Sequence, residues 1–354
     1  MASVDTATGG GRGRALLSTS TAVARFVGMV LATLLGLVAV TFVIGRVVPI
    51  DPVLAVVGDR ASPSVYARVR EEMGLHLPLW QQFFIYLGDV LKGDFGRSVL
   101  TTKPVVEDIA RFFPATIELA TLGTLIGTIF GVPLGVLAAV KRGSLIDQVV
   151  RVIGLVGYSA PIFWLGLLAL LLFYAKLGWA AGPGRLDVVY EYQLKAVTNM
   201  VLVDSLLQGN MAVFRNAVSH IVLPAGILGY FSLAYISRMT RSFMLNELAQ
   251  EYVTTARVKG LSERRVIWRH ALRNAAVPLI TVIALSYANL LEGSVLTETV
   301  FAWPGLGRYI TNSLQNADMN AVLGGTLVIG AAFVALNLFS DLLYRLFDPR
   351  TRKR

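Results

Sequence analysis

Six stretches of this 354-residue chain run for 18 to 24 residues without a single aspartate, glutamate, lysine or arginine. They are Phe26–Gly45, Leu119–Val140, Val152–Ala175, Asn216–Ser237, Asn274–Leu291 and Met319–Ser340. A helix crosses the hydrocarbon layer with about 20 apolar residues, and lipid offers no partner to an unpaired backbone group. Runs of this length predict an all-α integral membrane protein with six transmembrane helices. Composition agrees: 55% of residues are hydrophobic and only 15% charged, against about 25% charged in a soluble domain. Disorder is excluded by the apolar content, and cysteine is absent, so no disulfide framework exists.

The first run has the basic flank of a signal peptide (Arg12, Arg14, Arg25), but its 20 residues exceed the 7–15 of a cleavable apolar core. It reads as a retained anchor. Basic residues then set the orientation, because cytoplasmic loops carry the excess. With the N-terminus inside, the inner segments hold 19 Lys and Arg in 86 residues and the outer segments 13 in 140. Both termini are therefore expected in the cytoplasm. The net charge of +10 is explained by this asymmetry and needs no nucleic acid. The expected organisation is a disordered cytoplasmic tail over 1–25, the first span with an extracytoplasmic segment over 26–112, a five-helix core over 113–344, and a basic cytoplasmic tail over 345–354.

Within that core, loop 238–273 carries eight basic and three acidic residues. Met244, Leu248, Tyr252 and Ala256 recur every four residues and predict one apolar helical face. Lys259-Gly260 predicts the end of that helix, since Gly accepts the left-handed conformation of a C-terminal turn. Ser262 is the expected cap of a second helix running through Val266, Ile267, Ala271 and Arg273. The loop reads as helix, glycine turn, helix.

Gly123, Gly127, Gly131 and Gly135 stand at a spacing of four and form a smooth stripe for close helix packing. Pro133 is expected to kink that helix, and Ser159-Ala160-Pro161 to bend the third span. The polar residues at membrane depth, Tyr158, Ser159, Asn289 and Asn337, are weighed toward helix–helix hydrogen bonds. No span core contains a carboxylate, which argues against a transporter driven by an ion gradient. No catalytic set, metal-ligand cluster or phosphate-binding loop is present in the sequence, which argues against an enzyme. Energy for transport would have to come from another chain.

The stretch Glu251-Tyr252-Val253-Thr254-Thr255-Ala256-Arg257-Val258-Lys259-Gly260-Leu261-Ser262-Glu263-Arg264-Arg265 resembles the cytoplasmic loop of binding-protein-dependent ABC importer permeases. The likeness is to the first permease of the dipeptide, oligopeptide and nickel branch. Gly93-Asp94-Phe95-Gly96-Arg97-Ser98, Phe301-Ala302-Trp303-Pro304-Gly305-Leu306-Gly307-Arg308 and the terminal Asp348-Pro349-Arg350 agree with it. Thr254-Thr255-Ala256 stands where the general motif has Glu-Ala-Ala. The resemblance implies the type I ABC importer permease fold in a bacterial inner membrane. It implies a second homologous permease, two ATPases that bind ATP and Mg, and an extracytoplasmic binding protein that delivers peptide. Nickel chelates, glutathione, opines and oligosaccharides are the alternative cargoes. It assigns ATPase coupling to Glu251, Tyr252, Ala256, Arg257, Lys259, Gly260, Leu261, Ser262, Glu263 and Arg265. The chain itself would bind no cofactor or metal and catalyse nothing.

Overall fold

Lipid-facing chains must close their backbone hydrogen bonds internally, and the computed structural model, which describes residues 10–47, 51–58 and 60–347, is helical apart from its connecting loops and one isolated bridge between Arg97 and Pro104. The first helix, α1 (Gly10–Val47), contains the first apolar run, Arg25–Gly45. It begins at Gly10, and residues 1–9 lie outside the described part. Three shorter helices follow: α2 (Pro52–Val57), α3 (Pro63–Glu72) and α4 (Leu79–Leu91). Asp51 caps α2 by accepting the Val53 N–H at 2.9 Å and takes the Tyr66 hydroxyl at 2.5 Å, tying α2 to α3. Phe42 of α1 meets Phe83 of α4 edge-on with ring centroids 5.4 Å apart.

Helix α5 (Val105–Val140) starts fourteen residues before its charge-free run, because Glu107 and Asp108 suit the positive end of a helix. It runs through Pro114 and Pro133 as one element, so the kink expected at Pro133 does not divide it. Gly143 at φ +79° turns the chain, and Ser144 caps α6 (Leu145–Ser159). The third apolar run is not one straight span. Its helix breaks at Ala160-Pro161, and α7 (Ile162–Ala169), which continues as a π-helix over Leu170–Lys176, leaves at 102° to α6. Proline removes a donor and its ring excludes the preceding turn, so the bend far exceeds an ordinary kink.

Two short helices, α8 (Val188–Glu191) and α9 (Val201–Leu207), lead into the 38-residue α10 (Met211–Leu248). Then come α11 (Glu251–Val258), α12 (Glu263–Arg265), a π-helical segment Val266–Ala271 and α13 (Leu272–Gly293). The stretch Glu263–Gly293 is continuous enough to form one span. The chain ends with α14 (Val295–Val300), α15 (Leu306–Gln315) and α16 (Met319–Phe347), and residues 348–354 lie outside the described part. Among the described residues, five helices are long and apolar enough to cross, and there are six spans if the bent α6–α7 pair counts as one.

The largest contact between elements is α5 against α10. Apolar burial gives little drive inside lipid, so close backbone approach carries the association. The glycine stripe lies there. A Cβ at Gly123 would meet Leu228 Cβ at 2.9 Å, and one at Gly135 would meet the Ser237 carbonyl at 2.5 Å and Thr240 Cβ at 2.6 Å. At Gly127 it would collide with Ser232, and at Gly131 it would press tightly on Ile236 Cβ at 3.3 Å. One core, nearer the N-terminal ends of this pair, joins Leu119, Leu228, Leu290 and Trp303; another, nearer the C-terminal ends, joins Val136, Met244 and Ala275.

Candidate functional site

The loop singled out from sequence is built as an outrigger on the long helices. Helix α10 ends at Leu248, the chain breaks at Ala249-Gln250, and α11 starts in a new direction. The four-residue period from Met244 to Ala256 thus belongs to two helices rather than one face. Met244 packs with Val136 and Ala275, whereas Ala256 and Tyr252 pack with Val253, Val266 and Leu261. Leu248 touches both clusters.

Helix α11 ends in a double turn closed by two hydrogen bonds, Leu261 N–H to the Ala256 carbonyl at 3.2 Å and Gly260 N–H to the Arg257 carbonyl at 2.9 Å. Gly260 sits at φ +75°, a conformation that an L side chain disfavours. Nothing lies within 4 Å of the place where its Cβ would stand, so glycine is there for the backbone and for an open surface. Ser262 occupies the cap position of α12, but its side chain makes no capping bond; its carbonyl takes the Arg265 and Val266 N–H groups instead.

The ten residues proposed from sequence divide by position. Tyr252 and Ala256 face inward and hold α11 on the body of the protein. The Tyr252 hydroxyl donates to Glu247 Oε2 at 2.7 Å, and burial, with that carboxylate beside it, pushes its pKa up to about 12. Glu251, Arg257, Lys259, Gly260, Ser262, Glu263 and Arg265 are exposed, and Leu261 is half-buried. Arg257 and Glu263 form a two-pronged ion pair, 2.8 and 3.4 Å, that spans the Gly260 turn. Val258, at the end of α11, is 83% exposed. Sequence reasoning left it out of the site because an apolar residue in a helix is normally assigned to packing. The result is a firm, charged knob with an apolar tip. The π-helical segment Val266–Ala271 joins it directly to α13.

At the other ends of the same long helices, the Gly93–Ser98 and Phe301–Arg308 stretches converge. Trp303 is buried and donates its indole N–H to the Ala115 carbonyl at 3.0 Å. Thr116 accepts the Leu306 N–H at 2.8 Å and donates to Glu298 at 2.7 Å. Glu298 also takes Ser294 Oγ at 2.9 Å and the Arg308 N–H at 2.9 Å, while burial pushes its carboxyl above the ordinary value. Ser98, of the Gly93–Ser98 stretch, donates to Asp318 at 2.5 Å, and Tyr309 donates to Asp108 at 3.0 Å. Asp108, Glu298 and Asp318 were not singled out from sequence, since nothing local marks which flanking acids become buried. Arg185 bonds Glu118 at 2.7 Å with its guanidinium over the Trp303 ring, and it lines a cavity of about 550 Å³ together with Arg111 and Arg308. Among the described residues, no group of three or more His, Cys, Asp or Glu is placed to hold a metal ion.

Residues 131–353 match the family described as binding-protein-dependent transport system inner membrane component, and residues 20–120 match its N-terminal component. The chain belongs to this family. The permease is 43% identical to the di/tripeptide transport system permease of Pseudomonas aeruginosa (strain UCBPP-PA14), over 93% of this chain and 98% of that one. It is 44% identical to the probable D,D-dipeptide transport system permease of Escherichia coli (strain K12), over 89% and 92%. It is 42% identical to the dipeptide transport system permease of the same strain, over 93% and 98%. Among solved structures, an inward-facing form of the MetNI methionine ABC transporter aligns with a TM-score of 0.48 at 20% identity, over 66% of this chain and 93% of that one.

Proposed function

We propose that this permease forms half of the membrane channel of an ATP-driven importer of di- and tripeptides. The observation that carries the reading is the near end-to-end identity with permeases named for dipeptide transport. The other half is a second homologous permease, two ATPases supply the energy, and an extracytoplasmic binding protein delivers the peptide. The fold is the type I importer fold with both termini in the cytoplasm, supported by the density of Lys and Arg in segments 141–151 and 238–273. The α11–Gly260 knob seats in a groove on one ATPase, and its rigid link to α13 passes nucleotide-driven closure to the spans. Glu251, Arg257, Lys259, Ser262, Glu263, Arg265 and Val258 present the contact; Tyr252, Ala256 and Leu261 hold the knob in place.

The test is uptake by the full complex in proteoliposomes, with the binding protein outside and ATP inside. Labelled dipeptide should accumulate only with ATP. Import of a nickel chelate or an oligosaccharide, with no import of dipeptide, overturns the cargo.

A further inference from the structure

Helices α6, α10 and α13 turn polar and aromatic side chains toward one groove. On α10, Phe231, Tyr235 and Arg238 lie at i, i+4 and i+7, a single helical face. The face that α10 gives to α5 is a different one, built from Leu228, Ser232 and Ile236. Tyr158 comes from the end of α6, two residues before the 102° break, and stacks on Phe231 with ring centroids 5.9 Å apart. Asn289 comes from α13, where it is exposed, and its side chain has no hydrogen-bond partner among the described residues. Tyr158, Phe231, Tyr235 and Asn289 line a cavity of about 380 Å³, and Tyr158 is shared with a second one of about 510 Å³ that is lined by Arg238 and Arg241.

The charges in the groove are one-sided. Arg241 is committed to Asp147, with bonds of 2.7 and 2.9 Å. Arg238 has no carboxylate partner among the described residues; its guanidinium carbon stands 4.8 Å from the Tyr158 ring and 5.9 Å from the Tyr235 ring. No carboxylate lines either cavity. An amide and phenol hydroxyls turned to lipid would be costly, so this face belongs against water or solute. The chemistry on offer is specific. A guanidinium grips a carboxylate through two parallel bonds, an asparagine both donates to and accepts from a peptide amide, and aromatic faces attract an ammonium group. Cavities of this size suit a small ligand.

We propose that this groove is the peptide path through the permease, and that Arg238 receives the free C-terminal carboxylate of the passing peptide. The inference rests on the peptide-importer reading and adds the residues that contact the cargo.

The chain lacks cysteine, so single substitutions Asn289→Cys and Tyr235→Cys report directly. In the assembled transporter both should react with a charged, membrane-impermeant methanethiosulfonate added to both faces, and turnover with dipeptide should slow the reaction. Cysteines that react only after denaturation overturn the proposal, because the face is then packed against lipid or protein. The second arm compares Arg238→Gln with the unsubstituted chain, using a dipeptide and its C-terminal amide at saturating binding protein. The kcat/KM for the dipeptide should fall about tenfold and that for the amide less than about twofold, with Arg238→Lys in between. An equal loss for both substrates overturns the carboxylate role while leaving the importer reading intact. If the unsubstituted complex imports neither, the importer reading falls, and the groove assignment with it.

Discussion

Gly260 shows how one backbone angle constrains a working surface. Its φ of +75° costs an ordinary L residue roughly 1–2 kcal/mol, while the empty space beside it means that volume is not at issue. Gly260→Val should therefore lower uptake strongly while the chain still inserts and assembles; Gly260→Asn, which tolerates the left-handed region, should keep most of it. Equal activity of the two variants in the proteoliposome assay would show that the turn geometry is not what couples. Asp204 makes a different kind of turn. It accepts the Val197, Thr198 and Asn199 N–H groups and the Thr198 hydroxyl at 2.7–3.1 Å. Burial works to raise its pKa, but these bonds outweigh burial and hold the carboxyl below its ordinary value. A depressed folded pKa contributes stability that is complete above the unfolded value of ~3.9 and is lost as pH falls through the folded one. Amide exchange in residues 195–205 should thus stay slow at pH 5 and rise below pH 4, and Asp204→Asn should exchange fast at both.

Elements were legible in the sequence to the extent that lipid dictates them. Charge exclusion marks the part of a helix inside hydrocarbon, so six runs located the spans but not their ends: α5 begins at Val105 rather than Leu119, and α10 extends to Leu248 rather than Ser237. The break at Ala160-Pro161 was visible as a proline, but its 102° angle depends on how α7 packs against α10 and α14, which no local pattern encodes. Likewise the period of four from Met244 to Ala256 survives a change of direction, since both helices need an inward residue at that spacing. The glycine stripe could be read because close approach demands it at every turn. Its strength is testable. Gly127→Val forces side-chain volume into Ser232 and the Leu233 backbone, an overpacking that costs about 1–3 kcal/mol or more. The purified complex should melt several degrees lower, while Gly226→Val on α10, where nothing lies within 4 Å, should leave the melting temperature nearly unchanged.

At the scale of the whole molecule, the question is what drives cargo through the groove. An ion-coupled carrier needs an acid at membrane depth that is free to exchange its proton or hold a cation. Here the acids buried along the long helices sit toward their ends, and each has a partner. Glu118 binds Arg185 and the Leu202 N–H, Asp147 binds Arg241, and Asp108 takes the Tyr309 and Thr101 hydroxyls. Such pairs are costly to break, because each would leave an uncompensated buried charge. A proton therefore has no stepping stone across the middle of the bundle among the described residues. On the proposed function, the exposed knob of α11 and Gly260, joined to α13 through the Val266–Ala271 segment, is where an external motor would act. It follows that peptide uptake by the reconstituted complex should be unchanged, within about twofold, when a protonophore collapses the proton gradient at fixed internal ATP. Uptake should stop when ATP is replaced by a non-hydrolysable analogue, and the permease alone should hydrolyse none. Uptake that tracks the gradient instead of ATP would remove the coupling role from the knob and return it to the spans.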